Sequence, residues 1–173
     1  VIKRHLRLGG KVIGICGGYQ MLGHAVHDPD GTESAAGTSL GLGHLNIETL
    51  LQGEKQLRNV KGVWLSPEGD IPVTGYEIHV GQTTGSDLAQ PLMTLDTGID
   101  GAKNSEDTVM GSYVHGLFDE PKLLSLLLDW AGLEETTDFD YPALRAKEIE
   151  RLADEVEVEL PMERIFNIMR GSL

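Results

Sequence analysis

The sequence predicts an α/β domain: a mostly parallel central sheet flanked by helices, with an antiparallel strand portion beside it. Three observations carry that reading. The short apolar run Lys11-Val12-Ile13-Gly14-Ile15 leads through Gly17-Gly18 into a helical pattern, as in a parallel strand–turn–helix unit. Closely spaced strand candidates follow, bounded by Gly, Pro and Asp clusters, and such spacing suits antiparallel pairing. After Glu120-Pro121 leucines recur at helical spacing, which is core packing rather than a binding groove.

Taken in order, Ile2, Leu6 and Leu8 read as the end of a helix stopped at Gly9-Gly10. Residues 11–15 form a buried strand and 18–26 a helix. His27-Asp28-Pro29-Asp30-Gly31-Thr32 is turn chemistry, and the small polar residues 28–42 are loop. Strands are predicted over 44–51, 59–65, 74–80 and 91–97, a loop over 98–107, and a strand over 108–114 that ends at His115. Pro121 takes a favoured first-turn position in a helix whose apolar face is Leu123, Leu124, Leu127, Leu128 and Ala131. Gly132 stops it, and the acidic stretch from Glu134 to Asp140 reads as a solvated linker. Residues 141–159 are helical with Ile149, Leu152 and Val156 on one stripe, and Pro161 starts a last helix burying Ile165, Ile168 and Met169.

Composition narrows the function classes. The 173 residues suffice for one domain with a real core. A net charge of −13 argues against a nucleic-acid surface. No apolar run approaches the roughly 20 residues that span a membrane, and no h-region follows the first charges. A single cysteine excludes an internal disulfide, which suits a reducing cytoplasm.

That cysteine lies in Gly14-Ile15-Cys16-Gly17-Gly18-Tyr19-Gln20, where the strand meets the helix. Gly-x-Cys-x-Gly is the cysteine form of the nucleophile elbow. The glycines allow a sharp backbone reversal, and a helix N-terminus favours the thiolate. A lone cysteine is otherwise commonly a small buried hydrophobe. A phosphate loop is disfavoured, because neither Gly-Lys-Ser/Thr nor Gly-x-Gly-x-x-Gly is present here. A thiolate needs a proton carrier, and His115 in Gly111-Ser112-Tyr113-Val114-His115-Gly116-Leu117-Phe118-Asp119 also sits at a strand's C-terminal end, where active sites of open α/β sheets gather. Position alone would make His115 a capping or core residue; pairing with the elbow makes it a catalytic candidate. A metal site from His24, His27, His44, His79 and His115 is disfavoured, since no thiol or carboxylate falls at ligand spacing nearby.

Gly14 to Leu22 together with Tyr113 to Asp119 resembles a class I (triad-type) glutamine amidotransferase domain, of flavodoxin-like fold. Gly75-Tyr76-Glu77-Ile78-His79-Val80-Gly81, preceded by Leu40-Gly41-Leu42-Gly43, is similar to the C-terminal glutaminase domain of the cobyric acid synthases. The resemblance implies ATP-dependent amidation of corrin carboxylates in cobalamin biosynthesis, with L-glutamine as nitrogen donor. It implies Cys16 as nucleophile, the Gly17 N–H as oxyanion donor, His115 as acid and base, and Gln20 with Gly18 at the substrate. The wider class has His-x-Glu, but Leu117 stands at the Glu position. Glu77 or Asp119 is left to orient His115. Glu77 also reads as a solvated strand-edge carboxylate, and His79 as a satisfied structural histidine.

The resemblance further implies that residues 1–173 are a glutaminase domain lacking its first strand or strands, the second oxyanion loop and an upstream ATP-binding synthetase domain. No cofactor or metal is expected in this chain; ATP and Mg2+ would belong to the synthetase part. The isolated chain is then expected to be weakly active or inactive, and to associate through an exposed sheet edge. Competing readings are a stand-alone amidotransferase subunit acting on a cell-wall precursor, a redox or stress protein on the same elbow, and a structural or interaction module.

Overall fold

The computed structural model describes residues 1–33, 35–133, 140–160 and 162–171, and the chain divides into two units, Val1–Thr136 and Thr137–Leu173. The first unit runs α1 (Ile2–Arg7), β1 (Val12–Ile15), α2 (Gly17–Leu22), β2 (Ala25–Asp28), β3 (Gly37–Leu40), β4 (Ile47–Trp64) and β5 (Ile71–Gly85). It continues through β6 (Met93–Leu95), β7 (Gly98–Asp100), β8 (Ala102–Lys103), β9 (Val109–Ser112), β10 (Val114–His115) and α3 (Pro121–Trp130). The second unit holds α4 (Tyr141–Glu159) and α5 (Met162–Met169).

Two mixed sheets organise the first unit. One has the order β1-β9-β8, with β1 parallel to β9 and β9 antiparallel to β8. The other has the order β10-β5-β4-β2-β3, with β6 paired to β4 and β7 to β6. The architecture is α/β, with parallel pairing at β1/β9 and β2/β4. Antiparallel pairing predominates among the described strands, because β4 and β5 form a long two-stranded ribbon that recruits β10 and β6 antiparallel, while β2 joins it parallel.

Several boundaries differ from the sequence expectation. The strands over 44–51 and 59–65 are one strand, β4, whose register against β5 shifts between Leu51 and Gln56. Gly53, at φ 94°, sits in that irregularity, so its turn-like chemistry marks a bulge and not a strand end. Helix α2 stops at Leu22 rather than Val26. A Cβ on Gly23 would lie 2.5 Å from the Ile47 carbonyl oxygen, so the chain leaves the helix against β4 and Ala25–Asp28 joins the sheet. Loop segments 28–42 and 98–107 contain β3, β7 and β8.

The core of the first unit has two buried clusters. Val60, Trp64, Met93, Val114, Leu123 and Leu127 belong to one, and Tyr19, Leu22, Leu45, Ile47, Val109 and Tyr113 to the other. Helix α3 buries Leu123 and Leu127 fully, Leu124 and Leu128 partly, and leaves Ala131 exposed. Each fully buried leucine stabilises the fold by about 1.5–3 kcal/mol. The Glu120 carboxylate caps α3 by accepting from the Lys122 N–H at 3.4 Å.

In the second unit α4 has the predicted bounds. Asp140 caps it, accepting from the Ala143 N–H at 2.9 Å, and Pro142 occupies its first turn. The burial predicted for the last helix is not found: Ile168 and Met169 are exposed and Ile165 is half-buried, and the α4 stripe of Ile149, Leu152 and Val156 is exposed too. The linker reading of 134–140 falls, except for Asp140, outside the described residues.

Candidate active site

Strand β1 leads into Cys16, whose backbone adopts φ 53°, ψ −116°, a region costly for an L-residue. The strained position is Cys16 itself; Gly17 and Gly18 are not at positive φ. The Cys16 N–H donates to the Ser112 carbonyl at 2.9 Å, extending the β1/β9 ladder, and α2 opens at the next residue. Gly14 permits this close corner, because a Cβ there would lie 2.8 Å from the backbone of Gly18 and 2.5 Å from the Leu22 side chain. The Cys16 thiol is half-buried and donates to the Ile78 carbonyl oxygen in β5 at 3.4 Å.

His115 reaches the same stretch of β5 from another direction. Strand β10 pairs antiparallel with β5, placing Val114 opposite Glu77 and His115 opposite Tyr76. The His115 ring stacks on Tyr76 with centroids 4.8 Å apart and planes inclined by 5°. Its Nε2 is buried and has no hydrogen-bond partner among the described residues. A Cβ on Gly75 would fall 2.1 Å from the His115 carbonyl oxygen, so glycine is required where β10 meets β5. Gly116, at φ 87°, then turns the chain out of β10.

Ser112 ties the two groups together. Its carbonyl takes the Cys16 N–H. Its Oγ donates to Asp100 Oδ2 at 2.5 Å and accepts the Val114 N–H at 2.9 Å. Asp100 also accepts the Tyr113 N–H at 3.2 Å. This network fixes the step from β9, in the sheet of the cysteine, to β10, in the sheet that receives the histidine. Burial pushes the Asp100 carboxyl above the ordinary aspartate range, against the hydrogen bond from Ser112 that lowers it.

The remaining candidates lie as follows. Gln20 is buried, and its Nε2 donates to the Tyr113 hydroxyl at 3.3 Å, which in turn bonds Thr83 Oγ1 at 2.6 Å. Gly17 and Gly18 form the first turn of α2. Glu77 is buried and accepts from Arg58 Nε at 2.6 Å, which corrects the reading of a solvated edge carboxylate. Strand alternation directs it to the face of β5 opposite Tyr76. Asp119 Oδ2 lies 3.8 Å from where a Cβ on Gly116 would stand, just beyond His115 in the chain. His79 stacks on Tyr113 at 3.8 Å and donates from Nδ1 to the Gly81 carbonyl at 3.1 Å. Burial lowers its pKa, opposed by the charge of Glu77.

Arg58, Glu77, His79, Asp100, Tyr113 and Tyr19 line a polar cavity of about 350 Å³. Burial raises the Tyr19 pKa, and its hydroxyl has no partner among the described residues. Also among those residues, no three His, Cys, Asp or Glu side chains are placed to hold a metal ion, and no helix is long and apolar enough to cross a membrane. Sequence reasoning missed Tyr76, Arg58, Asp100 and Ser112 as site-building residues. Tyr76 and Ser112 carried a signal, as parts of the quoted Gly75–Gly81 and Gly111–Asp119 motifs.

Cys16 stands at the corner between a parallel strand and a helix of this α/β protein, the strand-turn-helix geometry of a nucleophile elbow. The family model of the CobB/CobQ-like glutamine amidotransferase domain matches residues 1–123. The chain belongs to that family: it is a glutamine amidotransferase domain of class I-like fold, and glutamine is its substrate.

Proposed function

We propose that this domain is the glutaminase of an ATP-dependent amidotransferase that converts corrin carboxylates to amides, as in cobyric acid synthesis. The supporting observation is that Cys16 and His115, 99 positions apart in the numbering (115 minus 16), converge on Tyr76–Ile78 of one strand. Cys16 Sγ attacks the side-chain carbonyl of glutamine, and the Gly17 N–H donates to the oxyanion. His115 takes the Cys16 thiol proton as the C–S bond forms and passes it to the nitrogen of the breaking C–N bond, so that ammonia leaves and a glutamyl thioester stays on Cys16. It then takes a proton from water, which attacks the thioester, releases glutamate and restores the thiol.

In this reading Gln20 and Gly18 line the substrate, with Gln20 held by Tyr113. Asp119 orients His115, since Glu77 is engaged by Arg58. Ammonia passes to a synthetase part, where ATP with Mg2+ activates the acceptor carboxylate. The CobB/CobQ-like match and the Gly75–Gly81 motif favour a corrin acceptor over a cell-wall precursor.

Release of glutamate from glutamine tests the chemistry. Cys16→Ala should abolish it, and His115→Ala should lower it by about 10²–10⁴-fold. Wild-type turnover in either variant refutes the proposal. Transfer of glutamine nitrogen to a corrin acid, and not to a muropeptide carboxylate, in the presence of the synthetase part tests the acceptor.

A further inference from the structure

A catalytic imidazole must present a chosen nitrogen in a chosen plane. Its χ2 torsion is broad and does not fix that plane by itself. A hydrogen bond to the second ring nitrogen usually does so. The buried Nε2 of His115 has no hydrogen-bond partner among the described residues, so an orienting bond would have to be made at Nδ1. The position two residues on is Leu117, a buried core residue that offers no carboxylate. Glu77 is spent on Arg58, and the Asp119 carboxylate assigned above to His115 would hold one edge of the ring without fixing its tilt. What lies flat against the imidazole is the Tyr76 ring, 4.8 Å away and inclined by only 5°.

We infer that Tyr76 is a positioning residue for His115, its ring fixing the plane in which the imidazole meets Cys16 and the substrate. Register supports this. Tyr76 and His115 are directly opposed across β5 and β10, the cross-strand relation in which side chains approach most closely. Gly75 beside the pair lets the two backbones close up. Tyr76 is 44% exposed as a residue and belongs to neither buried cluster, so removing its ring should affect geometry more than folding. The Ile78 carbonyl that receives the Cys16 thiol is two residues along the same strand. Tyr76 therefore sets the imidazole plane on the segment that also anchors the sulfur.

The inference rests on the reading of His115 as the proton carrier, and the experiment separates the two. Glutamate release by the full chain is measured against glutamine concentration for Tyr76→Phe, Tyr76→Leu and His115→Ala. The His115 ring-proton shifts are read by NMR and assigned through His115→Gln. Tyr76→Leu should lower kcat by about ten- to hundredfold, the scale of a small misplacement of a reacting group, with KM unchanged. Tyr76→Phe should stay within about twofold of wild type, since it keeps the stacking face. His115 ring protons should be displaced upfield in the wild type and in Tyr76→Phe, and return to ordinary positions in Tyr76→Leu.

A Tyr76→Leu kcat within twofold of wild type, beside an inactive His115→Ala, overturns this inference and leaves the glutaminase reading standing. A loss confined to KM overturns it equally. Wild-type turnover in His115→Ala removes the reading on which it rests. The wild-type ring-proton shifts need no turnover, and ordinary values there overturn the stacking outright.

Discussion

The backbone of Cys16 offers a direct test of the elbow, because its strain can be removed separately from its sulfur. At φ 53°, ψ −116°, a residue with a Cβ stores about 1–3 kcal/mol of strain. Cys16→Ala keeps the Cβ and the strain; Cys16→Gly releases it. Both lose the thiol contact with the Ile78 carbonyl, so that term cancels between them. Against glycine stand a backbone entropy cost of about 0.5–1 kcal/mol and the loss of a half-buried methyl, about 0.4 kcal/mol. The balance leaves Cys16→Gly more stable than Cys16→Ala by about 1 kcal/mol, on mid-range values. In urea titrations with a slope of about 2 kcal/mol/M, that is a midpoint difference of about 0.5 M. The reasoning is refuted if glycine is instead the less stable by about 0.5–1 kcal/mol, as at an unstrained position.

Two further outcomes follow from the packing and charge around the same corner. Gly14→Ala should destabilise the protein by about 1–3 kcal/mol, because the Leu22 side chain can turn aside but the Gly18 backbone cannot; an unchanged denaturation midpoint contradicts this. Burial raises the Asp100 pKa, so the native state holds that proton more tightly than the unfolded chain. The associated stability is complete below the ordinary value of 3.8 and is lost as pH rises through the folded value. Asp100→Asn cannot ionise, so wild type should lose stability relative to this variant as pH climbs from 4 towards neutrality, in paired unfolding curves; a difference that is flat or runs the other way sinks the argument.

Local signals were sufficient where local chemistry decides the structure. The elbow was legible because strand, cysteine and helix follow one another within a dozen residues. Helix α3 was legible because Glu120-Pro121 marks its start, and α4 because Ile149, Leu152 and Val156 fall on one helical stripe. What failed was long-range. Gly53 looks like a turn, and only pairing with β5 shows that β4 continues through it. The exposed apolar faces of α4 and α5 follow a helical period, but period alone does not supply a surface to bury them.

The site divides in the same way. Cys16 and His115 could be named from motif and strand-end position. The Tyr76 stack, the Arg58–Glu77 pair and the Asp100–Ser112 bond depend on register and on chain crossings between two sheets, which spacing does not encode. His115 also reaches β5 only because Ser112 ends one sheet's strand and starts the step to the other.

The central claim is that Cys16 is a glutamine-directed nucleophile, and covalent capture tests it most directly. A chloroketone analogue of glutamine should add once to the chain, map to Cys16 by peptide mass spectrometry, and be slowed by free glutamine. Labelling that glutamine does not slow, or that is no faster than with a simple alkylating agent lacking the amino-acid portion, would contradict the account.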